Sequence, residues 1–206
     1  MRESRLALAL STGAAVLPPE GEVAVFYPGA DDDLAPIGPA RAQIIQPFRP
    51  DHDAWAARGY RVAPQEPEGA GFCAAVVFLP RARALAQALV ARALAVAGGG
   101  PVLIDGRKTD GVDAMLKACR ARATVEAPLS GGHGKLFALH AAPGAFADWA
   151  GAPVQLEGGF CTAPGVFSAE RVDPGSALLG AALPAELKGR VADLGAGWGY
   201  LAATAL

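Results

Sequence analysis

Residues 74–79 read Ala-Ala-Val-Val-Phe-Leu, an unbroken apolar run. A strand that is apolar on both sides must be covered on both sides, as in a parallel sheet between two layers of helix. The chain then supplies a cover. Residues 81–97 are rich in Ala and Leu, with Leu85, Leu89, Ala93 and Val96 at i, i+4, i+8 and i+11, which predicts a helix with one apolar face. Gly98-Gly99-Gly100-Pro101 ends it, and Val102-Leu103-Ile104 opens another buried strand.

The flanking segments repeat this alternation. Leu6, Leu8 and Leu10 lead a short helix. Residues 22–27 predict a strand stopped by Pro28-Gly29, residues 41–46 a second around Ile44-Ile45, and residues 60–62 a third. Between the last two, residues 51–59 suit a helix with Asp51 as N-cap and Trp55 inward. Asp110 is placed to cap a helix whose Val112, Met115, Leu116 and Cys119 form an apolar stripe, with Asp113 and Lys117 in the favourable i, i+4 order on the other side. Val125 marks a strand, and residues 135–140 form one more, reached through a turn at residues 130–134. Strands alternating with helices predict an α/β domain with a mostly parallel sheet over residues 1–142. Residues 143–170 read as a linker with a small hairpin, in which 154–156 and 160–162 flank Glu157-Gly158-Gly159. Asp173-Pro174 opens a further helix with Leu178, Leu179 and Leu183 inward, and a strand begins at Val191.

Composition narrows the function classes. Charged residues make up 18% of the 206 and hydrophobic ones 52%, which excludes a disordered chain. A net charge of −2 does not imply broad nonspecific nucleic-acid binding and leaves room for a local basic patch. Cys73, Cys119 and Cys161 form no Cys-x-x-Cys pair and the three histidines are scattered, so no metal site is expected. Reduced, buried thiols and a cytoplasmic location are expected. Asp31-Asp32-Asp33 has no ligand spacing after it and reads as a solvated loop. The apolar run at residues 6–10 is interrupted by Ser11-Thr12-Gly13 and preceded by Glu3, which reads as a surface helix rather than a secretory leader. No run reaches the ~18 apolar residues of a membrane span.

The chemistry lies near the C-terminus, in Val191-Ala192-Asp193-Leu194-Gly195-Ala196-Gly197-Trp198-Gly199-Tyr200. A strand that turns into a helix through glycines aims backbone N–H groups at a ligand and lets it come close. A dinucleotide loop, G-x-G-x-x-G, would need its third glycine at position 200, which is Tyr200. The spacing Asp193-x-Gly195-x-Gly197-x-Gly199 instead resembles the first motif of class I S-adenosylmethionine-dependent methyltransferases. Upstream, Pro164-Gly165-Val166-Phe167-Ser168, then Asp173-x-Gly175-Ser176-x-Leu178-Leu179, then Lys188-Gly189-x-Val191-x-Asp193 resemble the ribosomal RNA small-subunit methyltransferase C family. Residues 106–112 (Gly-Arg-Lys-Thr-Asp-Gly-Val) and 130–135 (Ser-Gly-Gly-His-Gly-Lys) extend the likeness into the first half.

That resemblance implies methylation of a guanine exocyclic amine in ribosomal RNA or the small ribosomal subunit, with S-adenosylmethionine as cofactor. It implies two tandem Rossmann-like methyltransferase-type domains, the first a degenerate copy without cofactor. Residues 1–142 would be that copy and residues 171–206 the start of the catalytic domain, after the linker hairpin. By resemblance Asp193, Gly195, Gly197, Gly199, Phe167, Ser168, Asp173 and Ser176 would border the cofactor. Phe167 reads equally as core and Asp173 equally as an N-cap. The degenerate copy ends its first strand in Tyr27-Pro28-Gly29-Ala30, with one glycine, and its strand at residues 76–79 in Pro80-Arg81, where an active copy has Asn-Pro-Pro. The sequence contains no asparagine, so no catalytic residue is assigned and this chain alone is expected to be inactive. Arg107 and Lys108, with Lys117, Arg120 and Arg122 nearby, and Lys135 beside His133, are the candidate RNA contacts. Leu194, Trp198, Tyr200, Leu201 and Leu206 are expected to be exposed or covered by the first domain or by self-association. Two other readings stay open: a non-catalytic RNA-binding or scaffold domain, and a class I methyltransferase acting on a protein or small molecule.

Overall fold

The computed structural model describes residues 4–68, 71–142, 144–184 and 186–206. It divides into two units, Met1–Ala150 and Gly151–Leu206.

The first unit is an α/β sandwich. Strands β1 (Val23–Phe26), β2 (Ala42–Ile45), β3 (Arg61–Ala63), β4 (Ala74–Phe78) and β5 (Val102–Arg107) are parallel to one another, and β6 (Thr124–Val125), β7 (Leu129–Gly131) and β8 (Gly134–His140) complete the sheet. The order is β3-β2-β1-β4-β5-β8-β6, with β7 also on β8, and β8 runs antiparallel to β5, β6 and β7. The apolar runs sit where their composition requires. Every residue of β1, β2 and β4 is buried. Alternate side chains enter two separate cores, as the strand pleat dictates. Ala24, Phe26, Ala75 and Val77 pack under α3 (Arg83–Val96) and α4 (Val112–Arg120). Val23, Val25, Ala74 and Val76 pack under α1 (Arg5–Thr12) and α2 (Arg49–Ala57).

Several local expectations are corrected. α2 begins two residues before Asp51, with Phe48 as N-cap, and Asp51 Oδ1 instead accepts from the Ala30 N–H at 3.0 Å. Trp55 is buried as expected, and its Nε1 donates to the Pro28 carbonyl at 3.1 Å. The buried face of α3 is Ala86, Leu89, Val90 and Ala93, because small residues let the helix sit closer to the sheet on that side, and Leu85 and Val96 flank it. Asp110 caps a 3-10 turn, Lys108–Asp110, by accepting from Arg107 N–H, and Gly111 is the N-cap of α4. The stripe Val112, Met115, Leu116, Cys119 is buried throughout. Asp113 pairs with Lys135 Nζ at 2.6 Å rather than with Lys117. β7 and β8 join through Gly132 and His133, both left-handed (φ 53° and 60°), the two-residue turn that suits strand twist. The first unit extends to Ala150, past residue 142, because Phe146 and Trp149 are buried in the α3/α4 core. Of the thiols only Cys119 is buried, and Cys161 is exposed.

The second unit holds a two-strand ribbon, β9 (Val154–Gln155) with β10 (Cys161–Thr162), then α5 (Pro174–Ala182) and α6 (Tyr200–Thr204). The expected strand at Val191 is absent: residues 191–193 have no strand partner among the described residues, and Val191 is 62% exposed. A single strand without a neighbour leaves its ladder groups to water. Leu178 and Leu179 point to solvent, contrary to the inward placement, and Leu183 is half-buried. Among the described residues no helix is long and apolar enough to cross a membrane.

Candidate functional site

The glycine loop of the second unit adopts the backbone its sequence predicts. Gly195, Gly197 and Gly199 have φ of 79°, 59° and 92°, values L side chains rarely take. A Cβ built at any of the three would meet nothing within 4 Å, so the space beside this backbone is open. α6 starts directly after Gly199, and no side chain caps its N-terminus. Asp193 Oδ2 is closed off from solvent and has no hydrogen-bond partner among the described residues. A shielded carboxylate oxygen without a donor is costly, and a ligand ammonium or N–H group would satisfy it.

A shallow cleft of about 70 Å³ adjoins this loop, lined by Phe167, Asp173, Ser176, Gly195, Ala196, Gly197, Trp198, Tyr200 and Leu201. Five of the eight expected cofactor residues therefore meet at one place, while Ser168, Asp193 and Gly199 lie off its lining. The start of α5 organises one wall. Asp173 Oδ2 accepts from the Ser176 N–H at 2.9 Å and its hydroxyl at 3.3 Å, so Asp173 is both the N-cap and a cleft residue. Phe167 is 67% exposed, which rules out the core reading for it. Ser168 turns the chain at φ 51°, and its hydroxyl donates to the Arg171 carbonyl at 2.7 Å.

Trp198 and Tyr200, expected to be exposed or covered by the first domain or by self-association, are half-buried. They pack against each other with ring centroids 5.6 Å apart and against Phe160 at 5.0 and 6.0 Å, and both line the cleft. The available signal was their place inside the glycine loop, where a side chain flanks whatever the glycines admit.

In the first unit the loop after β1 is held by its own hydrogen bonds. Parallel sheets bind ligands where the strand order reverses, here between β1 and β4. The loop after β1 turns at Tyr27, left-handed at φ 57°, and the Pro28 carbonyl is held by Gln46 Nε2 at 3.0 Å and by Trp55. Asp32 folds back to accept from the Gly29 N–H at 2.8 Å. This acid is therefore not solvated as expected: burial pushes its carboxyl up to about 6, and the nearby Asp105 charge adds to the rise. Asp105, at the end of β5, is buried and pushed upward by that burial, while Arg5 Nε at 2.6 Å counters it. Arg5 also donates to the carbonyls of Gly131 and Gly132 at 3.2 and 3.4 Å. A polar cleft of about 120 Å³ remains here. Among the described residues no cluster of His, Cys, Asp or Glu could hold a metal.

The candidate RNA residues divide. Arg107 and Lys108 are exposed, whereas Lys135 is half-buried and paired with Asp113, whose carboxyl it holds below the usual range.

The Methyltransferase small domain family matches residues 157–206, the part that contains the glycine loop. The chain is 36% identical over 145 residues to the ribosomal RNA small subunit methyltransferase C of Pseudomonas paraeruginosa, covering 66% of this chain and 43% of that protein. With the same enzyme of Stutzerimonas stutzeri it is 35% identical over 153 residues, covering 70% of this chain and 45% of that protein. The chain thus spans less than half the length of these curated relatives. Among solved structures, the T. Thermophilus 16S rRNA N2 G1207 methyltransferase in complex with AdoMet and guanosine superposes with a TM-score of 0.59 at 26% identity, covering 80% of this chain and 48% of that one. The topology of the first unit, the glycine loop of the second and these likenesses agree, and the chain belongs to the ribosomal RNA small subunit methyltransferase C family.

Proposed function

We propose that the full-length protein carrying this chain is an S-adenosylmethionine-dependent methyltransferase acting on a guanine N2 amine of small-subunit ribosomal RNA, and that residues 1–150 are a non-catalytic copy of the methyltransferase fold. The observation that carries this reading is the open left-handed loop at residues 195–199, with Asp193 Oδ2 lacking a donor beside it.

The residues present fit the cofactor's amino-acid end. S-adenosylmethionine, when bound, supplies a sulfonium methyl group for attack by the amine. Asp193 would accept from the cofactor's ammonium or order the loop. Gly195 and Gly197 would admit the ligand to the backbone N–H groups at the start of α6. Phe167, Trp198 and Tyr200 would shield the site from water. Catalysis would be positioning plus removal of one amine proton, and the guanine would leave its stack to reach the methyl group. No asparagine is present to hold that amine, so this chain by itself is inert in this reading. The internally hydrogen-bonded loop at residues 27–32 supports a non-catalytic first unit.

The test is methyl transfer from labelled S-adenosylmethionine by the full-length protein to 30S subunits and to naked 16S RNA, with nucleosides resolved by mass spectrometry. N2-methylguanosine is expected. Transfer to a protein or to another nucleoside, with none to guanine, refutes the proposal.

A further inference from the structure

The charge of this protein is segregated. Residues 81–135 contain nine Lys and Arg against four Asp and Glu, while the rest of the chain contains nine against sixteen. A protein with a net charge of −2 therefore carries a strongly cationic segment. That segment builds one side of the first unit, because α3 and α4 cover the same face of the sheet.

Three of the nine cations are spoken for. Arg92 is paired with Glu66, Arg122 with Asp148 at 2.6 Å, and Lys135 with Asp113. Six are exposed: Arg81, Arg83, Arg107, Lys108, Lys117 and Arg120. Arg81 lies 3.8 Å from Asp110, a loose pair, and the other five have no ion-pair partner among the described residues. Arg81 and Arg83 stand at the start of α3, Arg107 and Lys108 lead into α4, and Lys117 and Arg120 occupy its last turn. A groove of about 90 Å³ runs between the two helices, floored by Ala86, Gly111, Ala114 and Ala118. The small floor lets a backbone approach, and Arg81 and Arg83 line the groove together with Asp110.

We infer that this α3/α4 face is a contact surface for the sugar-phosphate backbone of RNA, read by charge and not by base sequence. The inference rests on the ribosomal RNA substrate proposed above and names the surface that meets it. Three features select RNA. Four of the six exposed cations are Arg, whose forked donors match phosphate oxygens. None of the large exposed hydrophobic residues lies between residues 81 and 135, so the face lacks the apolar anchors that a membrane or a protein partner uses. The cations stand at both ends of α4, Arg107 and Lys108 before it and Lys117 and Arg120 in its last turn, and its nine residues rise about 13 Å, a spread that suits a line of phosphates better than one anion.

The test is fluorescence anisotropy of the whole chain with a labelled RNA hairpin of mixed sequence, across ~50 to ~200 mM salt. The double variant Lys117→Glu/Arg120→Glu is compared with Arg49→Glu/Arg190→Glu, which changes the net charge equally at exposed positions elsewhere. Circular dichroism confirms that both are folded. If the first pair is destabilised, Arg81→Gln/Arg83→Gln replaces it, since both side chains lie outside the core. The expected result is at least a tenfold loss of affinity for the α4 variant. Its plot of log affinity against log salt should flatten by about 1.5, two phosphate contacts at about −0.7 to −0.9 each. The control should do neither. Equal losses in the two variants, no loss in either, no RNA binding by the wild-type chain, or equal affinity for poly-glutamate overturns the inference. Methyl transfer by the full-length protein is read separately, so a failure here leaves the proposed reaction standing, and a failure there leaves this surface testable.

Discussion

Replacing Asp32 by Asn should stabilise the first unit, and do so only where the carboxyl is ionised. Asp32 is largely buried in the loop after β1, near Asp105, Arg5 and Arg107, and accepts from the Gly29 N–H. Its carboxyl is pushed from an ordinary 3.8 to about 6. A folded state that holds an acid's pKa above its unfolded value binds the proton more tightly than the unfolded state does. Stability is therefore fully present below about 4 and falls as the pH rises toward 6. Above both values the ionised group costs the fold about 3 kcal/mol, and at pH ~4.5 about 1 kcal/mol. Asn keeps an oxygen for Gly29 and removes the charge. Urea unfolding followed by circular dichroism should show Asp32→Asn more stable than wild type by about 2–3 kcal/mol at pH ~7.5 and by about 1 kcal/mol or less at pH ~4.5, with an unchanged slope. An equal difference at the two pH values would refute the reasoning, since the effect would then be packing and not ionisation.

Four further outcomes are expected. Gly134→Ala should lower stability by about 1–3 kcal/mol in the same unfolding assay, because a Cβ there would sit 2.4 Å from the Gly106 carbonyl and 2.8 Å from Arg5 Cζ. Trp55→Phe should cost about 1–3 kcal/mol by leaving the buried Pro28 carbonyl one donor short, and recovery of the full loss in a variant that also changes Gln46 would argue against a direct role. Native alkylation by iodoacetamide should label Cys161 quickly and Cys119 only on unfolding, since burial pushes the Cys119 thiol up to about 12, and mass spectrometry of the peptides decides it. Titration of this chain with S-adenosylmethionine in a calorimeter should give no saturable heat. The cleft of about 70 Å³ falls well short of the ~300 Å³ at which ligand pockets begin, and micromolar binding would show that the loop suffices by itself.

How much of this was legible follows from where the restraints act. The strands of the first unit were readable because an apolar run at residues 74–79 has one low-energy destination, and every residue of β4 is buried. The caps were less readable. Asp51 and Asp110 carry the right side chain for an N-cap, but Pro50 fixes α2 to start earlier and Gly111 takes the turn before α4. Lys135 and Asp113 are 22 residues apart, and only the β8–α4 packing brings them together, so the local i, i+4 rule chose the wrong partner. In the second unit, residues 191–193 and Leu178 were assigned from periodicity. Periodicity states what an element would bury if a partner surface were present, and Leu194 at 93% exposure shows the difference. The glycine loop was legible because left-handed glycines set their own conformation and need no sheet to hold it.

The loops at residues 27–32 and 193–199 differ in how far their polar groups are paired within the protein. At residues 27–32 the backbone polar groups are consumed internally: Pro28 by Gln46 and Trp55, Gly29 by Asp32. The loop also carries the bulky Tyr27 and Pro28, and the acids that follow it line the polar cleft beside it. At residues 193–199 the reverse holds, with an orphan carboxylate oxygen, three open glycines and an uncapped helix start. An internally satisfied loop adds rigidity to a scaffold, whereas an unsatisfied one is stable only at a cost that binding removes. The same accounting separates the arginines. Arg5 is tied to Asp105 and two carbonyls and serves the fold, while Arg83, Arg107 and Arg120 pair with no acid among the described residues. In this protein the groups left unpaired, more than the shape of the sheet, mark where function is to be sought.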